Sequence, residues 1–262
     1  MRVHHLSCGS MKPPTMSTIV CHVLLCETDD GLVLVDSGLG TFDFAQPARM
    51  GPARFMLRPD RDDAKTAIRQ VEGLGFAAED VTNIVLTHMD FDHIGGIADF
   101  PAATIHTTAE EYDAAVVNPG FYGKQRYRST QWSHGPKMEL HAGRGDEWMY
   151  GLTGHEVLPG ITMIPMPGHT RGLAAVAVDA GERGLLIHAG DAVFDASSYC
   201  DTSPSGAPLA KIGTIRAFEK VMAVDRKAIQ GNHETLARLQ REDGVTVIPA
   251  HDKRIFDDLT AG

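Results

Sequence analysis

The sequence predicts a layered α/β fold in a single domain spanning 1–262, and three observations carry that reading. Short apolar runs of strand length alternate with segments whose apolar residues recur at helical spacing. The 262 residues contain no repeat of solenoid period, no low-complexity tract and no linker. Several of the strand-like runs end in a His or an Asp, which is where layered α/β sheets gather their ligands.

The elements follow in chain order. Two apolar runs, 19–26 and 32–35, flank Glu27-Thr28-Asp29-Asp30-Gly31, so a β-hairpin is predicted with Asp-Gly supplying the turn. Over 62–74 the positions Ala64, Ala67, Ile68, Val71 and Leu74 keep helical spacing, and Gly73 and Gly75 supply the stop. Residues 83–87 and 103–106 read as buried strands. Residues 107–117 read as a helix opened by Thr107 or Thr108, with Glu110 and Glu111 in its first turn. Segment 118–160 is rich in Gly and aromatic residues but shows little periodicity, which predicts a long loop serving as a lid, a binding segment or an interface arm. Further strands are predicted over 161–165, 174–178, 184–187 and 245–248. Helical patterning runs over 211–243, broken near Asp225 or Gly231.

Composition narrows the function. A net charge of −10 disfavours nucleic acid or an anionic membrane surface as partner. No apolar run approaches the ~20 residues of a membrane span, and residues 1–9 lack a basic stretch followed by an apolar one, so the cytoplasm is the expected compartment. Cys8, Cys21, Cys26 and Cys200 form no C-x-x-C pair and read as free thiols, Cys21 and Cys26 in the core. The 13 histidines matter more, because imidazole is the commonest transition-metal ligand.

Directly after the strand ending at Thr87 comes His88-Met89-Asp90-Phe91-Asp92-His93, then Ile94-Gly95-Gly96. Four potential ligands within six residues at a strand-to-helix turn form a dense donor cluster, although Asp92 taken alone could equally cap a helix starting at His93. Three more donors end apolar strands: His169 in Pro167-Gly168-His169-Thr170, Asp191 in His188-Ala189-Gly190-Asp191, and His251 in Pro249-Ala250-His251-Asp252.

These segments, with Leu32-Val-Leu-Val-Asp36-Ser-Gly38, resemble the metallo-β-lactamase superfamily, whose pattern is H-x-H-x-D-H followed by a distant His, an Asp and a final His. The resemblance covers nearly the whole chain and is closest to the lactonase and glyoxalase II-like hydrolases. It implies an αββα four-layer sandwich and two divalent metal ions, zinc first among the candidates. One ion would take His88, Asp90 and His169, the other Asp92, His93 and His251, with Asp191 bridging and Asp36 orienting a ligand from behind. Asp92 would also orient the nucleophile and carry its proton.

Asp90 stands where the superfamily usually has a His. The sequence reading expects the harder oxygen ligand and the lower site charge to make bound water less acidic and to shift preference toward iron or manganese. Lactonases often place a Tyr three residues after the bridging Asp, and here that position is Phe194, which cannot donate to a substrate carbonyl. Tyr199, Tyr122, Tyr127, His134 and His188 are the candidate replacements. Within 121–134, the aromatic residues, Tyr122 and Trp132 among them, mix with His134, Lys124, Arg126 and Arg128, as a lid offering apolar contact and a cation would require.

The expected activity is therefore hydrolysis of a carboxylic ester by a metal-bridging hydroxide, with a lactone such as an acyl-homoserine lactone as first-choice substrate and a thioester of the glyoxalase II type as its nearest rival. Two other classes stay open, a di-iron oxidoreductase and a metal-binding regulatory protein. The expected partner is a small molecule, and a homodimer is compatible with the sequence.

Overall fold

The computed structural model describes residues 1–14 and 16–261. Two six-stranded sheets pack face to face with helices on both outer sides, the αββα arrangement. The first sheet runs β1 (Arg2–Met11), β2 (Ile19–Thr28), β3 (Gly31–Val35), β4 (Val81–Val85), β5 (Thr104–Thr108) and β6 (Lys137–His141) in spatial as well as chain order. The second holds β7 (Asp146–Trp148), β8 (Leu152–Leu158), β9 (Ile161–Pro165), β10 (Ala174–Asp179), β11 (Leu185–Gly190) and β12 (Val245–Pro249), likewise in order.

Alternation along the strands builds the layers. Val33, Val35 and Val85 face Met163, Val176, Val178 and Ile248 across the inter-sheet space. The intervening Leu34, Ile84 and Ile105 turn outward beneath the helix Ala67–Gly73. On the opposite side Ile187, Val245 and Val247 bury Leu236 and Leu239 of the helix Arg226–Leu239 and Ile255 of Lys253–Thr260. Among the described residues no helix is long and apolar enough to cross a membrane.

The predicted hairpin is β2 and β3, paired antiparallel in the register Thr28↔Gly31. Thr108 opens the helix Ala109–Tyr112, its hydroxyl accepting from Glu111 N at 3.1 Å. Of the two candidate breaks over 211–243, Asp225 is the one used: it caps Arg226–Leu239 by accepting from Lys227 N and Ala228 N, while Gly231 lies inside that helix. Segment 118–160 is no loop. It contains the helix Gly120–Arg126 and the strands β6, β7 and β8. β6 and β7 are edge strands, largely open to solvent, so their side chains lack the apolar alternation that marks a half-buried strand.

Candidate metal centre

All the strand-end donors arrive at one rim of the sandwich. β3 delivers Asp36, β4 leads through Thr87 to His88, β11 leads through Gly190 to Asp191, and β12 leads to His251. Gly190 permits this convergence: its φ is +51°, and a Cβ there would stand 2.7 Å from Thr87 Cβ, so only glycine lets the two turns close on each other. The helix Phe91–Ile94 starts inside the motif, with Asp90 at its N-cap position and no side-chain cap bond, so Asp92 lies within its first turn and does not cap a helix starting at His93; both Asp90 and Asp92 line a cavity.

Two cages of donor atoms result. Asp90 Oδ2 lies 3.3 Å from His88 Nε2 and 3.1 Å from His169 Nε2, and Asp191 Oδ2 lies 3.6 and 3.0 Å from the same two nitrogens. The second cage has His93 Nε2 and His251 Nε2 3.4 Å apart. Asp92 Oδ2 is 3.9 and 3.5 Å from them and Asp191 Oδ1 3.3 and 3.1 Å. Ligand atoms bound tetrahedrally at about 2.0–2.2 Å stand roughly 3.3 Å apart, so both cages have the dimensions of a metal site. Asp191 faces one oxygen to each.

The tautomers agree with that fit. His93 Nδ1 donates to Asp36 Oδ2 at 2.8 Å, His88 Nδ1 to Thr87 Oγ1 at 3.0 Å and His251 Nδ1 to the Val20 carbonyl at 2.7 Å. Each ring thereby points Nε2 into its cage. His88 Nε2 and Asp191 Oδ1 are buried with no hydrogen-bond partner, as atoms shaped for a cation would be. Burial opposes charge on His93 and His251. The carboxylates of Asp191 and Asp92, joined at His93 by Asp36, outweigh it and hold both above the ordinary imidazole range. Burial likewise opposes charge on Asp191, yet four histidines, His251 first, hold it well below the carboxylate range.

Asp36 sits at φ +58°, a left-handed backbone uncommon outside glycine, with its carboxylate also accepting from Thr87 N at 2.7 Å and Thr87 Oγ1 at 2.8 Å. Its backbone N–H donates to the Val85 carbonyl at 2.9 Å, which fixes the end of β3 against that of β4.

The cages form the floor of a cavity of about 760 Å³. Met11, Leu57, Phe91, Phe194, Phe218 and Met222 give it mostly apolar walls, and Phe121, Tyr122 and Val221 stand exposed at its rim. Phe194 packs its ring 5.4 Å from that of His169 and 5.3 Å from that of His251. Trp132 and His134 do not line this cavity. The turn Ser129–Gln131, anchored where Gln131 Nε2 donates to Asp43 Oδ1 at 3.0 Å, carries Trp132 onto the outer core of the first sheet and leaves His134 exposed.

Three of the candidate carbonyl donors are already committed: Tyr127 OH to Glu111 Oε1 at 3.1 Å, Tyr199 OH to the Val247 carbonyl at 3.0 Å and His188 Nε2 to the His22 carbonyl at 2.7 Å. Tyr122 remains, at the rim. Burial pushes the thiols of Cys8 and Cys200 up, Cys200 to about 11, which disfavours the thiolate at both.

The roles of two residues escaped the sequence reading. Glu111 is buried behind the motif, Oε1 accepting from Met89 N at 3.0 Å and Oε2 from Gly172 N at 3.1 Å, so it ties the loops that carry the first cage together. Arg126 reaches Asp90 with two prongs, Nε to Oδ1 and Nη2 to Oδ2, each 2.6 Å. A cation could have been sought from the sequence, since a buried carboxylate in place of a neutral His needs one.

Two adjoining Asp/His cages at the end of an αββα sandwich define a metal-dependent hydrolase. The chain belongs to the metallo-beta-lactamase superfamily, whose sequence model matches residues 17–251. It is 44% identical to a probable metallo-hydrolase of Mycobacterium tuberculosis over 98% of this chain and 82% of that one. It is 22% identical to an N-acyl homoserine lactonase of Bacillus cereus, over 93% and 91% of the two chains. A solved N-acyl homoserine lactone hydrolase, described with the product N-hexanoyl-L-homoserine bound at the catalytic metal center, superposes with a TM-score of 0.71 at 18% identity, covering 97% of this chain and 94% of its own.

Proposed function

We propose that the protein hydrolyses a carboxylic ester bond, with a lactone bearing an apolar acyl chain as its substrate. The observation that carries this reading is the placement of both donor cages on the floor of a largely apolar cavity of about 760 Å³, the surroundings an acyl group attached to a reactive carbonyl requires. Lactonase relatives along most of the chain support it.

His88, Asp90 and His169 would hold one divalent ion and Asp92, His93 and His251 the other, with Asp191 shared; zinc suits this mixture of nitrogen and oxygen donors. Such a pair of ions supplies an acidified water and a Lewis acid for the carbonyl. Asp36, Thr87 and the Val20 carbonyl fix the ring orientations. The Asp92 carboxylate lines the cavity, and in this reading it would take the proton of the attacking water and return it to the leaving alkoxide. Phe194 and Phe218 exclude water from the acyl side, and the Tyr122 hydroxyl at the rim is free to meet the polar end of a substrate.

The test is a screen of zinc- and manganese-loaded protein against lactones, thioesters, phosphotriesters and β-lactams, with Asp191→Ala as blank. Lactone hydrolysis at roughly 10⁴ M⁻¹s⁻¹ or above, lost on chelation and restored by metal, is expected. Preferential thioester hydrolysis, or activity surviving Asp191→Ala, would refute the lactone assignment.

A further inference from the structure

The superfamily's usual His is an Asp at position 90, and replacing a neutral ligand by a carboxylate removes one positive charge from the site. The structure supplies that charge again. The Arg126 guanidinium projects from the end of the helix Gly120–Arg126, a segment remote from the motif, and its side chain is only 14% exposed. Every one of its N–H groups is used. Nε donates to Asp90 Oδ1, Nη2 to Asp90 Oδ2 and His169 Nε2, and Nη1 to the carbonyls of His169 and Met222 at 3.0 Å each. Four of its five N–H groups stay committed to Asp90 and the two carbonyls even when an ion takes His169 Nε2, so Arg126 is held by the site and is not the acyl-recognition cation that a basic, aromatic loop suggests.

The fork does something else. It fixes both Asp90 oxygens in one plane and turns Oδ2 toward His88 Nε2 and His169 Nε2, at the 3.3 and 3.1 Å that metal-ligand spacing asks for. A carboxylate oxygen can accept from a guanidinium with one lone pair and face a metal with the other. Resting on the metallohydrolase reading above, we propose that Arg126 and Asp90 act as a single unit in place of the missing His: Asp90 is the ligand, and Arg126 is the positioning residue that aims it and restores the charge of the first metal site. The Arg126 contact with His169 belongs to the metal-free state and yields when an ion takes that nitrogen. On this proposal the charge that the sequence reading expects the site to lose is returned by a cation 36 positions away in the chain.

The unit is tested by metal content and affinity, read independently of turnover. Full-length wild type, Arg126→Gln, Arg126→Lys, Asp90→His and the double variant Asp90→His/Arg126→Gln are stripped, reloaded with zinc and titrated against a chromophoric chelator, with circular dichroism of each metal-free protein as the check on folding. Wild type is expected to hold two ions per chain. Arg126→Gln is expected to lose tight binding of one, at least tenfold. Arg126→Lys, which keeps the charge without the fork, should fall between and still reports if Gln fails to fold. Asp90→His alone leaves a buried guanidinium without its carboxylate and should do no better than Arg126→Gln, whereas the double variant recovers two ions. Two ions at wild-type affinity in Arg126→Gln would overturn the proposal, and so would a gain of metal in that variant, which would mean that the guanidinium occupies the cage. A wild type that binds no metal would instead defeat the metallohydrolase reading.

Discussion

His93 Nδ1 stands 2.8 Å from Asp36 Oδ2, and Asp36 holds that carboxylate in place from a left-handed backbone at φ +58°. The same carboxylate ties down Thr87, whose hydroxyl in turn accepts from His88 Nδ1, so a single side chain orients one ring in each cage. Asparagine tolerates the left-handed region and keeps the shape, which separates backbone fit from charge. Asp36→Asn is expected to fold and to weaken zinc binding roughly 10–100-fold, as loss of a partner behind a metal-binding His does. Chelator competition measures this, and wild-type affinity in the variant would show that Asp36 only shapes the turn.

Glu111 lies behind the other cage and holds Met89 N, Gly172 N and Tyr127 OH through two oxygens. Glu111→Ala removes the acceptor of three buried donors, each of which costs about 1–3 kcal/mol when left unmade. A loss of about 3–5 kcal/mol is expected after partial relaxation, and a melting temperature lower by about 6–15 °C. Calorimetry of the metal-free protein isolates this from ligand binding. An unchanged melting point would mean that water replaces the carboxylate.

How much of this could be seen in the sequence depended on whether a residue's neighbours in space were also its neighbours in the chain. The donors His88, Asp90, Asp92 and His93 sit within six residues, and His169, Asp191 and His251 each end an apolar strand, so the pattern itself places them at one rim. Glu111 looked like an ordinary first-turn helix acid, because its partners Met89 and Gly172 come from loops 22 and 61 positions away. Arg126 was read as one of the lid's substrate-facing cations for the same reason. Trp132 and His134 failed to reach the cavity because composition says what a segment contains and not which way a turn sends it. β6 and β7 were hidden by solvent: edge strands need no apolar alternation, so they leave no period to read.

The cavity makes a quantitative claim about acyl chains. Each buried methylene contributes about 0.8 kcal/mol, close to a fourfold gain in kcat/KM, until the apolar space is filled. A series of lactones of increasing acyl length should therefore rise steeply and then level. Phe218→Asp, placing a carboxylate in the apolar wall, should flatten that rise while leaving the shortest lactone nearly unaffected. A wild-type profile with no chain-length dependence would place the acyl group outside this cavity.

Away from the cages, His106 on β5 gives a pH signature. Its ring is 3% exposed, with Nε2 donating to Asn83 Oδ1 at 2.8 Å and Nδ1 3.2 Å from His141 Nε2. Burial, reinforced by the His141 ring and Lys137 against the opposing Glu139 carboxylate, pushes it down to about 4. The unfolded chain, with His106 near the ordinary imidazole value of 6.5, binds a proton between pH 6.5 and 4 that the folded chain refuses. The stability it contributes is therefore complete above pH 6.5 and is lost as pH falls through 4. His106→Gln keeps a donor for Asn83 and removes the titration, so its unfolding free energy should depend less on pH across that window than the wild type's. Urea melts at pH 7, 6, 5 and 4.5 make the comparison, because every other buried histidine contributes equally to both curves and cancels in the difference. Parallel curves would mean that His106 takes up its proton in the folded protein, sharing it with His141 or drawing it in through the Glu139 carboxylate.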